Sequence, residues 1–260
     1  MRLEQSKDND CSIIWSSYHD NKFCDEQYKA ELQKLESEDE YYYKVYTLGE
    51  WTPLNVVGQI YKKFIDKPVP DGNIAEYEYN PHLPLIVCCD FNVNPMKWAF
   101  IQKLQGNDYV FDELVQYDTY TERMAKEVLS RYGNRSYLIY GDYTGSYRST
   151  KSSKTDYDII EQILNIDKRI KPNPSIMDRI NAVNWRLCNK DGVRRLLITK
   201  NCTHTIKDFQ RVVFKEGKRE EEQLVKDGIN ELTHISSAIG YYCEYEYSLK
   251  GKPYAELFRR

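Results

Sequence analysis

Residues 85–95 read Leu85-Ile86-Val87-Cys88-Cys89-Asp90-Phe91-Asn92-Val93-Asn94-Pro95. An unbroken apolar run of this length suits a strand buried on both faces. It ends on a carboxylate, which is costly in such a place unless it is paired or metal-bound. Taken alone, Asp90 also reads as a strand-ending aspartate that caps the next turn. Further along, Tyr137-Leu138-Ile139-Tyr140-Gly141-Asp142 repeats the layout. If the two strands are parallel neighbours, Asp90 and Asp142 emerge side by side. Two carboxylates at one sheet edge repel each other unless a divalent cation lies between them. Gly141 reads as room left for a substrate backbone.

Working outward, 98–104 and 109–117 read as two more strands, so 83–89, 98–104 and 109–117 form an antiparallel meander. Residues 120–132 have helical spacing, with Met124, Val128 and Leu129 on one face and Thr119 or Thr121 as cap. Because a helix precedes 137–141, that strand is expected to pair in parallel after a crossover. Helices follow at 155–164, 176–188 and 228–247, with a strand at 194–199. This is the element order of an α/β, ribonuclease H-like domain: a central mixed sheet flanked by helices.

The front of the chain is different. Residues 11–16 read as a short strand and 24–38 as an exposed helix. Tyr41 to Trp51 form an aromatic cluster ending in Leu48-Gly49-Glu50-Trp51, and Pro68, Pro70, Gly72, Asn80 and Pro81 mark 66–82 as a loop or linker. The domain boundary is expected just before residue 57, giving segments 1–56 and 57–260.

The chain has 260 residues and a net charge of −3, which on its face disfavours nucleic acid. The average hides a polarity. Residues 1–90 hold 9 basic and 17 acidic side chains, whereas 131–219 hold 19 basic and 9 acidic. A basic stretch supplies a phosphate-binding face even in an acidic protein, although scattered surface charge explains the same numbers. There is no apolar run long enough for a membrane span and no signal-peptide core at the N-terminus. The cysteines number 7 and include no C-x-x-C pair, which points to reduced thiols in an intracellular protein and away from a zinc site.

On a continuous last helix, Asp227, Glu231 and His234 share one face, and Ser237 lies one turn beyond His234. The bland alternative is a pair of solvated helix-start charges and a packing histidine. Arg148, Lys151 and Lys154, in the Ser/Thr-rich segment after Asp142, suit phosphates, or an ordinary polar loop. No G-x-x-x-x-G-K-[ST] loop and no G-x-S-x-G elbow occurs.

Cys88-Cys89-Asp90-Phe91-Asn92-Val93-Asn94-Pro95 resembles the first-strand motif of the nuclease domain of tailed-bacteriophage terminase large subunits. Tyr140-Gly141-Asp142 with Gly145 resembles that family's second metal-ligand motif. Leu48-Gly49-Glu50-Trp51 resembles the segment leading out of its ATPase domain. Residues 179–184, 202–209 and 232–242 resemble further parts of the nuclease domain, in the same order along the chain.

The resemblance implies a C-terminal terminase nuclease domain, with 1–56 as a remnant or linker from the ATPase side. The implied activity is metal-dependent endonucleolytic hydrolysis of concatemeric double-stranded DNA during genome packaging. It implies two Mg²⁺ or Mn²⁺ ions, with Asp90, Asp142 and His234 as catalytic residues and Asp90 and Asp142 as metal ligands. Arg148, Lys151 and Lys154 would hold DNA. The implied partners are DNA, the terminase ATPase domain, the small terminase subunit and the portal or procapsid. The implied location is the host-cell cytoplasm during assembly, with no retention in the mature virion and no membrane partner. One position departs from the family pattern. Ser237 stands where the last helix usually offers a carboxylate ligand. Either His234, Asp227 or Glu231 compensates, or water fills the gap, or the site is impaired. Two alternatives follow: a non-catalytic DNA-gripping or portal-docking module, or a resolvase-type nuclease of the same fold.

Overall fold

The computed structural model describes residues 17–38, 47–48, 59–148, 153–213 and 232–250. The chain separates into two compact units, Met1–Asn55 and Val56–Arg260. In the first, helix α1 spans Glu26–Glu38, where the sequence predicts one. The strand expected at 11–16 and most of the aromatic cluster lie outside the described residues.

The second unit is built on one six-stranded sheet: β1 (Leu85–Asp90), β2 (Met96–Leu104), β3 (Asn107–Gln116), β4 (Ser136–Gly141), β5 (Asn165–Lys168) and β6 (Leu196–Ile198), ordered β5-β4-β1-β2-β3-β6. The meander β1–β2–β3 is antiparallel, and β4 pairs β1 in parallel. Helix α2 (Thr121–Tyr132) makes the crossover. The remaining helices are α3 (Asp156–Ile163), α4 (Ile176–Leu187), α5 (Thr203–Arg211) and α6 (His234–Tyr247). This is the α/β, ribonuclease H-like arrangement of a mixed sheet between helices. Among the described residues, no helix is long and apolar enough to cross a membrane.

The sheet is apolar on both faces because helices cover both. Every residue of β1 is buried. Leu85, Val87 and Cys89 pack with Trp98, Phe100, Met124, Val128 and Ile160 on the α2–α3 side. Ile86 and Cys88 pack with Ile101, Tyr140, Val183, Ile235 and Ile239 on the side of α4 and α6. Side chains alternate along a strand, so Asp90 continues the Ile86–Cys88 row and faces α6. In the register of β1 with β4, Cys88 lies opposite Tyr140. Two residues on, Asp142 therefore follows Tyr140 to the same face and the same level as Asp90.

Three local readings are corrected. Helix α2 is not capped by either threonine: its cap position is Tyr120, with no side-chain hydrogen bond. Thr121 instead donates to Asp156 at 2.5 Å, and Thr119 to Gln116 at 3.0 Å. Helix α3 does carry a side-chain cap: Thr155 and Asp158 form a full capping box. Gly141 leaves no room for a substrate. A Cβ there would lie 2.7 Å from the Cys89 carbonyl oxygen and 2.9 Å from the Tyr157 hydroxyl, so the glycine serves close packing of β4 on β1. Finally, the helix expected over 228–247 begins at His234, because Thr233 is left-handed with φ of 81°.

Candidate functional site

Asp90 ends β1 and is 7% exposed. Its Oδ2 accepts a hydrogen bond from Asn92 Nδ2 at 2.7 Å. The imidazole Nδ1 of His234 lies 3.1 Å from the same oxygen and 2.5 Å from Asn92 Nδ2. His234 protonated on Nδ1 donates to Asp90; the tautomer protonated on Nε2 accepts from Asn92. The packing of α6 across β1 thus brings His234 to Asp90, as the sequence predicts.

Asp142 follows β4 directly and caps a 3-10 turn, Tyr143–Ser146. Its Oδ1 accepts from Thr144 N at 2.7 Å and from Asn173 Nδ2 at 2.7 Å. The backbone carbonyl of Asp142 accepts from Tyr157 at 2.9 Å. Gly145 in this turn lets the Phe91 ring lie against it: a Cβ would meet that ring at 2.4 Å. The motifs 90–95 and 140–145 are therefore packed on each other, and the two carboxylates are anchored separately.

Ser237 is half-buried on α6, one turn past His234. Tyr241 is one turn further on. Burial raises its hydroxyl above the usual phenol range, and the Asp142 and Asp90 carboxylates add to that rise. The Arg179 guanidinium lies 4.4 Å over the Tyr241 ring. One face of α6 thus carries His234, Ser237 and Tyr241, with His234 at Asp90 and Tyr241 near both carboxylates.

Of the other predicted residues, two are described. Arg148 is exposed at the end of the 3-10 turn. Lys154 is exposed and donates to Gln162 at 2.7 Å. Lys151, Asp227 and Glu231 lie outside the described residues.

Sequence reasoning passes over two residues that hold α5 and α6 in place. Helix α6 has no side-chain cap of its own. In its first turn, Ser236 donates its backbone N–H to Asp208 Oδ2 of α5 at 3.1 Å. An acid from a neighbouring helix thus does what an N-cap does. Helix α5 is held in the same way. Glu113 of β3 accepts from His204 N at 2.8 Å and from Thr205 N at 3.0 Å. No local sequence signal reports a cap supplied across space.

Asp208 is wholly buried, and its Oδ1 has no hydrogen-bond partner among the described residues. Burial pushes its carboxyl up from 3.8 to about 6, against the Ser236 hydrogen bonds and the Lys97 and His234 charges. The folded state therefore holds this proton more tightly than the unfolded chain. The resulting stabilisation is full below about pH 4 and is lost as pH rises through 6. Asp208→Asn keeps an acceptor for Ser236 but cannot ionise. Urea melts from pH 4 to 6 should show the variant gaining on the parent by on the order of 3 kcal/mol. A constant difference across that range would remove the buried proton from the account.

Against known proteins, residues 2–50 match the family described as phage terminase large subunit. No curated protein matches the chain. Among solved structures, the large terminase of a thermophilic bacteriophage, in complex with ATP-gamma-S, is 18% identical, with a TM-score of 0.54. That likeness covers 88% of this chain and 54% of the other, so this chain spans about half the length of that protein. The P22 large terminase nuclease domain is 13% identical with a TM-score of 0.46, covering 66% of this chain and 84% of its own. The SPP1 large terminase nuclease domain, solved with bound Mn, is 16% identical with a TM-score of 0.39, covering 62% and 86%. The front of the chain by sequence, and the chain by fold, thus resemble the large subunit of a phage terminase.

Proposed function

We propose that residues 57–260 form the metal-dependent nuclease domain of a terminase large subunit, hydrolysing phosphodiester bonds of double-stranded DNA during genome packaging. The observation that carries this is the placing of Asp90 and Asp142 at one level of two parallel strands, with His234 closing on Asp90. In the same reading, residues 1–56 belong to the ATPase side. DNA, the ATPase domain, the small subunit and the portal or procapsid are the partners, in the cytoplasm of the host.

The donor set suits a hard divalent cation. Asp90 and Asp142 offer carboxylate oxygens, and Ser237 a neutral hydroxyl, which is the chemistry Mg²⁺ and Mn²⁺ accept with water completing the shell. Asp90 and Asp142 would hold the ion. When bound, such an ion lowers the pKa of water and neutralises charge developing on the phosphate. The chain's own residues do the rest. Asn92 fixes the Asp90 carboxylate, and Asn173 and Thr144 fix that of Asp142. His234, with Nδ1 3.1 Å from Asp90 Oδ2, lies within reach to carry a proton to or from the reacting oxygens. Arg148, Lys151 and Lys154 follow Asp142 in sequence and would hold DNA by its phosphates, with little base preference.

The test is cleavage of supercoiled plasmid with Mn²⁺, Mg²⁺ or a chelator. Cleavage that needs the ion supports the nuclease; none under any condition favours the DNA-gripping alternative, for which Ser237 is the specific reason. Ser237→Asp restores the carboxylate that the family pattern places there. Its Mn²⁺ affinity should rise about tenfold, read by calorimetry. A drop would mean that Ser237 does not face the ion.

A further inference from the structure

Lys97 lies deep in β2 and is 1% exposed. In the antiparallel register it pairs with Asp90. Cross-strand partners point to the same face of a sheet, so Lys97 shares the face that carries Asp90 and, by the β1–β4 register, Asp142. One row across the sheet therefore reads carboxylate, carboxylate, ammonium. The Lys97 Nζ lies 3.2 Å from His204 Nδ1, and its charge acts on Asp208, as does that of His234. A buried ammonium persists only beside anionic or accepting groups, and here those groups border the candidate site.

We infer that this site is built for one divalent cation, with Lys97 as the fixed positive charge on the far side of Asp90. The inference rests on the nuclease reading and departs from the pair of ions that the resemblance implies. Two ions close together repel strongly and need anionic ligands between and around them. Ser237 removes one such ligand, and Lys97 adds a positive charge to the row. No group of three His, Cys, Asp or Glu able to hold a metal is found among the described residues. Asp90 and Asp142 together balance the charge of a single divalent cation. Lys97 is thus a positioning residue: it sets how many ions the carboxylates accept and touches none of the reacting atoms.

The experiment is a count of Mn²⁺ ions by anomalous scattering in crystals of the full chain soaked in Mn²⁺ alone. The parent should hold one ion, against Asp90 and Asp142. The Lys97→Met, Ser237→Asp double variant should hold a second. Two ions in the parent, with Asp227 or Glu231 as a ligand, would overturn the inference while leaving the nuclease reading intact. A double variant that stays at one ion would overturn the role of Lys97. No ion at Asp90 in the parent would overturn the nuclease reading itself, and the inference with it. Should Lys97→Met fail to fold, Lys97→Gln with Ser237→Asp keeps a polar end beside His204 and answers the same question.

Discussion

Asp90→Asn should abolish Mn²⁺-dependent plasmid cleavage, lowering the rate by on the order of 10³-fold or more, about 4 kcal/mol of transition-state stabilisation. The substitution is isosteric, so the β1 edge should hold its shape. Asn92 and His234 would still find an oxygen at the same place. What is lost is the negative charge that would balance a divalent cation at the end of β1. Circular dichroism and the melting temperature should stay close to those of the parent, separating a lost charge from a lost fold. The readout is the rate at which supercoiled plasmid becomes nicked and linear. Parental cleavage by the variant would remove Asp90 from the chemistry.

Arg186→Ala should cost about 3–5 kcal/mol of stability, the range for breaking one half of a buried ion pair. Arg186 reaches Asp108 Oδ2 through Nε at 2.9 Å and through Nη2 at 2.7 Å. Both side chains are almost fully buried, at 6% and 1% exposed. Tyr242 and Tyr247 of α6 donate to the other oxygen of Asp108, at 2.8 and 3.0 Å. The guanidinium also lies 4.0 Å over the Tyr247 ring. The alanine variant leaves Asp108 buried with two phenol donors and without its paired guanidinium. Because this cluster joins α4 to α6, the helix that carries His234, cleavage should fall with stability. Denaturant melts give the first number, and a loss below 1 kcal/mol would show that the tyrosines alone satisfy Asp108.

The core of the fold is legible in the sequence because its signals are local. The apolar runs before Asp90 and Asp142 are long enough to name two buried strands, and the crossover helix between them dictates parallel pairing. The shared level of the two carboxylates follows. Other parts carry weak signals. Strand β5 is four residues long, polar and half-exposed, so neither alternation nor an apolar run marks it. Helix α5 shows in the sequence only through the family resemblance at 202–209, since its cap is a glutamate 91 residues away in β3. The last helix reads as too long because a threonine, not a glycine, takes the left-handed position at its start.

The site is legible to the same extent. Asp90, Asp142 and His234 stand out as carboxylates at strand ends and a histidine on the last helix. Asn92 and Asn173 do not, because a neutral amide that fixes a carboxylate looks like any loop asparagine. Lys97 is invisible for a different reason. Its meaning lies in the register that sets it beside Asp90, and register is a property of pairing between strands. Asp208 likewise acts across space, on the first turn of a helix that follows it in the chain.

In the proposed function, Asp90 and Asp142 hold a divalent cation at the ends of two parallel strands. Titrating Mn²⁺ into the full chain by calorimetry, alongside Asp90→Asn and Asp142→Asn, tests it without reliance on cleavage. The parent should bind Mn²⁺, and each variant should bind about tenfold more weakly or not at all. Equal binding by all three proteins would contradict the account.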